Sequence, residues 1–232
     1  MAVPSELRTQ ESRTADELID SVLSEHSNAG VCFTCSFQAE DVIVLHLLRK
    51  RIPRVPVLFL ETGYHFSDTY KFRDELARGW KLNLVNVVPK QTVEAQESSL
   101  GILYKDDPTR CCKLRKVDPL LDALQPFETW FTGLRREQSV TRKNLQKVEA
   151  HALPSGKALR KVSPLADWTW GQVWEFTSKE KLPYLAQYDR GYFSIGCEPC
   201  TALPDDPNNP RSGRWSGKKL ECGIHTFSER SQ

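Results

Sequence analysis

Short apolar runs alternate with longer amphipathic stretches along most of this chain. The apolar runs have the length and composition of buried strands, and the amphipathic stretches repeat with helical spacing. Strands are predicted at residues 31–35, 55–60, 82–88 and 127–132. Helices are predicted at residues 15–27 (begun by a capping box of Thr14 and Glu17), 42–50, 168–177, and from Ser67, as the cap, to about residue 78. Residues 89–110 are expected to form a long connection.

This order of elements predicts the α/β class, with a parallel-type sheet flanked by helices. Polar turns follow the first two strands, at residues 36–41 and 61–65. Because ligands of such sheets bind beyond the carboxyl ends of the strands, we expect the two turns to lie side by side at a binding site. The start of the following helix also favours anions, although residues 36–41 lack a glycine-rich phosphate loop.

Composition narrows the class of protein. The chain has 232 residues and a net charge of +2, so nothing in its overall charge indicates nucleic-acid binding. It has no apolar signal core and no stretch suited to crossing a membrane, which predicts a cytoplasmic protein. The proline-rich residues 204–210 predict a hinge, dividing an α/β domain (1–203) from a flexible tail (204–232).

Six of the seven cysteines occur in close pairs. Cys111 and Cys112, together with Cys197 and Cys200, could ligate zinc or a [4Fe–4S] cluster. Adjacent cysteines rarely point at one small ion, so the spacing favours the cluster. Cys32 and Cys35 lie three apart on a predicted strand, which places their side chains on opposite faces and predicts two buried thiols rather than a redox pair.

Cys222 has no neighbouring partner and lies between a basic flank and His225. A thiolate in positive surroundings is a good nucleophile, whereas a lone tail cysteine taken by itself is more often idle. Clustered cations could neutralise a small anionic substrate, the alternative for each being an ordinary surface charge. These candidates are Lys116, Arg135, Arg136, Arg211 and Arg214.

Together these segments resemble the iron–sulfur, thioredoxin-dependent adenylyl-sulfate (APS) reductases of the sulfonucleotide reductase family. The resemblance spans residues 36–225 in the family's order. It rests on residues 36–41, 61–65, the two cysteine pairs with Lys116, 133–139, Arg211-x-x-Arg214-Trp215 and Glu221-Cys222-Gly223-Ile224-His225. Gln38 stands where many relatives have glycine, and Glu61 replaces a common aspartate.

The resemblance implies an adenine-nucleotide α-hydrolase-like fold, related to ATP pyrophosphatases. It implies reduction of APS to sulfite and AMP in sulfate assimilation and cysteine biosynthesis, with Cys222 as the nucleophile, an S-sulfocysteine intermediate and thioredoxin as electron donor. One [4Fe–4S] cluster per subunit would be held by Cys111, Cys112, Cys197 and Cys200. The implied substrate-binding residues are Ser36, Phe37, Gln38, Glu61, Thr62, Gly63, Lys116, Arg135, Arg136, Arg211, Arg214 and His225.

Two alternatives stay open at this point. The substrate could be the 3′-phosphorylated nucleotide (PAPS), alone or together with APS. The chain could also be a cluster-bearing nucleotide-binding protein in which Cys222 is not catalytic. No nucleic-acid or membrane partner is expected, and homo-oligomer formation is left open.

Overall fold

A computed structural model describes residues 10–25, 30–206, 209, 211–217, 219 and 221–225. The helices are α1 Ala15–Ser24, α2 Ala39–Arg49, α3 Ser67–Trp80, α4 Val93–Leu100, α5 Leu103–Asp106, α6 Pro108–Cys112, α7 Asp118–Leu124 and α8 Trp170–Lys179. The strands are β1 Val31–Thr34, β2 Pro56–Leu60, β3 Asn83–Val87, β4 Thr129–Phe131, β5 Val148–Ala152 and β6 Ala158–Val162. A π-helical turn, Lys113–Val117, joins α6 to α7.

The strands form one six-stranded sheet in the order β3-β2-β1-β4-β6-β5. The neighbours pair in parallel except for β5 and β6, which pair in antiparallel fashion. The chain moves outward from β1 through β2 to β3 and then returns to place β4 on the other side of β1. The strand order therefore reverses between β1 and β4, which is where sheets of this kind bind ligands.

Apolar side chains cover both faces of the sheet. One cluster packs α1 and α2 against Val31, Phe33 and Cys35, and the second packs α7 against Cys32 and Trp130. The two thiols Cys32 and Cys35 are buried in different clusters, so the predicted divergence is confirmed. Both stay protonated, since burial raises the pKa of each thiol.

The predicted α/β class, the parallel strands and the capping box of Thr14 with Glu17 are confirmed. The long connection predicted at residues 89–110 is wrong, because most of it forms α4, α5 and the start of α6. Ser67 does not cap α3. It is the first helical residue, after Phe66, which makes no side-chain cap bond. The hairpin of β5 and β6 was not predicted.

No helix in the described ranges is both long enough and apolar enough to span a membrane.

Candidate active site

A cavity of about 400 Å³ opens at the carboxyl ends of β1, β2 and β4. It lies at the reversal of strand order, and we call it the main cavity. The loop after β1 contributes Ser36 and Gln38 to its lining, the first turn of α2 contributes Asp41, and the segment after β4 contributes Gly133 and Arg135. The other polar and reactive residues that line it are Glu40, His65, Lys116, Glu137, Gln138, Arg142, Arg211, Arg214, Cys222 and His225, and its aromatic wall is formed by Trp170, Phe193 and Trp215.

The loop after β1 is held in shape by the carboxylate of Asp41. Ser36 donates to it from both its backbone N–H and its hydroxyl, each at 2.6 Å. Burial raises the pKa of Asp41 to about 6, because it outweighs the hydrogen bonds from Ser36, which lower the pKa. Gly133 is required opposite, because a Cβ there would lie 2.2 Å from an Asp41 carboxylate oxygen. The Gln38 side chain accepts from the Ile195 N–H (2.8 Å), which ties this loop to the opposite wall.

Arg135 lines the main cavity, but the protein uses most of its donors. Its Nε and Nη2 donate to Glu40 (3.1 and 3.0 Å), and Nη1 donates to Glu137 (2.8 Å) and to the Trp168 carbonyl (3.0 Å). Only one Nη2 hydrogen has no partner among the described residues. Arg135 and Glu40 are 3% and 5% exposed, so this is a buried ion pair.

Three guanidiniums and one ammonium face the other side of the cavity. Arg214 stacks on Trp215 (4.6 Å to the ring centroid) and donates to the Thr201 hydroxyl at 2.8 Å. Gly196 leaves room for that guanidinium, since a Cβ would lie 2.2 Å from it. Arg211 and Arg142 both approach Glu221, at 3.5 and 2.8 Å. Lys116 completes the group of cations.

Three residues of the segment Glu221–His225 line the main cavity, namely Cys222, Ile224 and His225. Cys222 is half-buried, lines the cavity and packs against Cys112, Cys197, Cys200 and Trp215. Farther along, Ile224 packs in the cluster of Trp130, and the His225 ring stacks on Trp130 at 5.4 Å with an interplanar angle of 15°. Burial holds the pKa of His225 well below its usual value, so its ring is neutral.

The two predicted cysteine pairs meet in a second, enclosed pocket of about 10 Å³, which we call the four-cysteine pocket. Cys111, Cys112, Cys197 and Cys200 all line it and all are buried, as is Lys116 at its boundary with the main cavity. The π-helical turn begins immediately after Cys112, an irregularity of a kind common at functional sites. Within the described ranges, no group of three or more His, Cys, Asp or Glu side chains is placed to hold a single metal ion.

Positive charge and hydrogen bonds favour a thiolate at Cys197, whereas burial and the neighbouring cysteines raise the pKa of Cys111 to about 12 and also raise the pKa of Cys200. Burial opposes ionisation of Cys197, but Lys116, the Thr62 hydroxyl (3.3 Å from Sγ) and Arg214 outweigh it and lower the pKa of the thiol. Burial likewise opposes the charge of Lys116, yet Cys197, Cys112 and Cys222 raise the pKa of its ammonium. The donor set, four buried thiols beside cations, fits a metal–sulfur group better than an apolar core.

Most of the predicted site residues are brought together, but five are not at the main cavity. Phe37, in a left-handed conformation (φ 62°), is buried against Phe59 and Phe72. Glu61 accepts from Tyr70 (2.5 Å), Arg73 and the Gly63 N–H. Thr62 lines the four-cysteine pocket. Gly63 has a positive φ (75°) and lies so close to Val93 that a Cβ would be 2.5 Å from the valine Cγ2.

The fifth is Arg136, which donates to the Leu145 carbonyl (2.7 Å) and to Glu11 (2.5 Å), outside the main cavity. Arg142, which the sequence analysis did not assign to the site, lines the main cavity where Arg136 was expected. The spacing of these arginines along the chain does not predict which of them faces the main cavity. Two 3₁₀ turns, Arg136–Gln138 and Val140–Arg142, set the directions of their side chains.

Comparison with known proteins agrees with this geometry. A family model described as the phosphoadenosine phosphosulfate reductase domain matches residues 30–203. The chain belongs to this family. An adenosine 5′-phosphosulfate reductase of Geobacillus sp. (strain WCH70) is 42% identical over 84% of this chain and 83% of its own length. Another, of Bacillus cereus (strain AH187), is 38% identical over 93% and 92%.

The solved structures support the fold. A phosphoadenylyl-sulfate reductase of Candida auris superimposes with a TM-score of 0.73 at 24% identity, over 87% of this chain and 99% of that one. An FMN adenylyltransferase of Candida glabrata gives a TM-score of 0.61 at 16% identity, over 88% and 70%. The predicted family and fold are confirmed, and with them the enzyme class, an oxidoreductase that acts on sulfur.

Proposed function

We propose that this protein reduces adenylyl sulfate to sulfite and AMP, with Cys222 as the nucleophile. The observation that carries the proposal is the position of Cys222, which lines the same cavity as Lys116, Arg142, Arg211 and Arg214. A sulfate group is a poor, negatively charged electrophile, so a thiolate can reach it only where cations neutralise its oxygens. APS is proposed as the nucleotide because the relatives are named adenosine 5′-phosphosulfate reductases.

Unpartnered polar atoms support a polar ligand in the main cavity. Among the described residues, Arg214 Nε, Trp215 Nε1 and His225 Nδ1 are buried without a hydrogen-bond partner. Buried polar atoms nearly always have partners, so these are suited to bind oxygens or nitrogens of the nucleotide. Ser36 and Gln38, on the strand-end loop, are proposed to contact the nucleotide as well.

The proposed reaction has two steps. The Cys222 thiolate attacks the sulfur of APS, forming an S–S bond while the bond between sulfur and the bridging oxygen breaks, so that AMP leaves and S-sulfocysteine remains. A thiolate of reduced thioredoxin then attacks the Cys222 sulfur and releases sulfite. The resulting mixed disulfide is resolved by the second thioredoxin thiol, which returns Cys222 as a thiol. The two electrons come from the dithiol.

A [4Fe–4S] cluster is the proposed occupant of the four-cysteine pocket. Such a group takes one thiolate per iron, so adjacent Cys111 and Cys112 can each serve a separate iron. When bound it would supply fixed negative charge beside Lys116. Lys116 itself, at the boundary of the two cavities, is proposed to orient the anionic end of the substrate.

The proposal is tested with protein purified without oxygen and incubated with APS in the absence of reductant. We expect an intact-mass increase of one sulfite unit on Cys222, absent in Cys222→Ser and removed by reduced thioredoxin. Lys116→Ala should slow formation of the adduct in a single turnover. A protein that binds AMP but forms no adduct with either nucleotide would contradict the enzymatic proposal and favour a nucleotide-binding role. An adduct with PAPS but not APS would contradict the proposed substrate alone.

A further inference from the structure

The residue before the proposed nucleophile is held by the wall of the main cavity. Glu221 is 12% exposed at its side chain, and its carboxylate is bound in a two-pronged fashion by Arg142. Arg142 Nε donates to one oxygen at 3.0 Å and Nη2 donates to the other at 2.8 Å. Such paired bonds fix direction as well as distance.

Two more groups hold the same carboxylate. The Thr141 hydroxyl donates to it at 2.9 Å, and Arg211 Nη2 lies 3.5 Å away. Burial opposes the charge of Glu221, but Arg142 and Arg211 outweigh it and lower the pKa of the carboxyl. Arg142 is also anchored on the scaffold side through Gln138 Oε1. The carboxylate is thus tied to Thr141 and Arg142, which are 80 and 79 residues away in sequence.

A second contact lies on the other side of Cys222. Ile224 and His225 pack on Trp130 of β4, and the buried Lys161 Nζ donates to the His225 carbonyl at 3.4 Å. Cys222 is therefore suspended between two attachments, one electrostatic and one aromatic. Glu221 is the residue whose loss would release the nearer attachment.

We infer that Glu221 is a positioning residue, which holds Cys222 over the main cavity through its bonds to Arg142 and Thr141. The inference rests on the proposed function only for the role of Cys222. Glu221 does not touch the reacting atoms in this scheme. It restricts where the thiolate can be, and a displacement of about 1 Å of a reacting group can cost roughly 100-fold in rate.

The experiment measures alkylation of Cys222 by iodoacetamide in the anaerobic, cluster-loaded protein without nucleotide, with the modified peptide identified by mass spectrometry. Rates are followed to the high-pH plateau, so that the variants are compared where the rate no longer depends on pH. We expect Glu221→Gln and Arg142→Ala each to raise the plateau rate about tenfold, a release of about 1.4 kcal/mol. Lys143→Ala, next to Arg142 and exposed, is the matched control and should leave it unchanged.

Two further variants decide whether the residues act as a pair. In the double variant Glu221→Gln with Arg142→Ala, the rate should equal that of either single variant, since both remove one interaction. The exchange of charges, Arg142→Glu with Glu221→Arg, should restore much of the protection. An unchanged plateau rate in Glu221→Gln, or fully additive single effects, would overturn the inference.

A second readout uses the substrate. Glu221→Gln should slow formation of the APS adduct about tenfold while AMP binds at least as tightly as in the wild type, because a competing anion has been removed from Arg142 and Arg211. Weakened AMP binding with an unchanged adduct rate would also overturn the inference. Since the alkylation experiment needs neither nucleotide nor thioredoxin, failure of the proposed reaction and failure of this inference are distinguishable.

Discussion

The buried pair of Arg135 and Glu40 allows a quantitative test, because the same guanidinium has an exposed partner as its control. The Glu40 side chain is 6% exposed and the Glu137 side chain is 50% exposed. In Glu40→Gln, Arg135 keeps its charge at 4% side-chain exposure but loses the carboxylate that binds two of its nitrogens. Removing one partner of a buried pair costs about 3–5 kcal/mol.

Glu137 and the Trp168 carbonyl still bind Nη1 in this variant, and the new amide oxygen can still accept. We therefore expect a loss of about 3 kcal/mol, the lower end of that range. In Glu137→Gln the loss should stay below about 1 kcal/mol, as for exposed pairs.

Urea unfolding of the wild type and of both variants, purified in the same way, measures these losses. At a slope of about 3 kcal/mol per molar urea, Glu40→Gln should lower the midpoint by about 1 M. Because the pair is buried, the difference should survive 0.5 M salt, roughly the range in which exposed pairs are screened. Equal shifts for the two variants, or a Glu40 effect that disappears in salt, would refute the distinction between a buried and an exposed partner.

Two more predictions follow from the cavity walls. The pKa of Asp41 is raised to about 6 from its usual 3.8, so the folded state binds more protons between these values and the wild type loses stability as pH rises through them. Urea unfolding of Asp41→Asn and of the wild type is compared from pH 4.5 to 7.5. As pH rises, the free energy of unfolding of the variant should increase relative to that of the wild type by at most about 3 kcal/mol. A stability difference that does not change with pH would contradict the raised pKa. In Gly196→Ala the new Cβ would displace the Arg214 guanidinium, so the dissociation constant for AMP, measured by calorimetry, should rise at least about tenfold. Gly79→Ala is the control, because Gly79 has open space around it, and this variant should bind AMP normally. Equal affinities in the two variants would show that Arg214 is not needed for AMP binding.

The sequence is informative wherever local periodicity decides the structure. Alternation along β1 was sufficient to predict that Cys32 and Cys35 face different clusters. The polar turns after β1 and β2 were recognisable because strand, turn and helix follow one another within a short stretch. The two cysteine pairs could be joined only through chemistry, since about 85 residues separate them, and the structure places all four at one pocket.

The arginines show where sequence reasoning stops. Arg136 differs from Arg142 through its partner Glu11, which lies 125 residues away in sequence and has no local signal. Glu11 also accepts from the Lys147 N–H at 2.6 Å, so it fixes both ends of the loop that carries Arg142 inward. The sequence shows which residues carry hydrogen-bond donors, but the tertiary fold decides which acceptors lie next to them.

Counting those acceptors separates arginines that hold the fold from those available to a ligand. Arg135 donates to Glu40 and Glu137, both of which belong to the scaffold, so its carboxylate partners do not include any residue of the segment Glu221–His225. Arg142 pairs instead with Glu221, which belongs to the segment that carries Cys222. We expect the proposed anionic substrate to share that guanidinium with Glu221, whereas the scaffold already binds nearly all the donors of Arg135. Arg142, rather than Arg135, is therefore the guanidinium through which we expect substrate binding and the placement of Cys222 to be coupled.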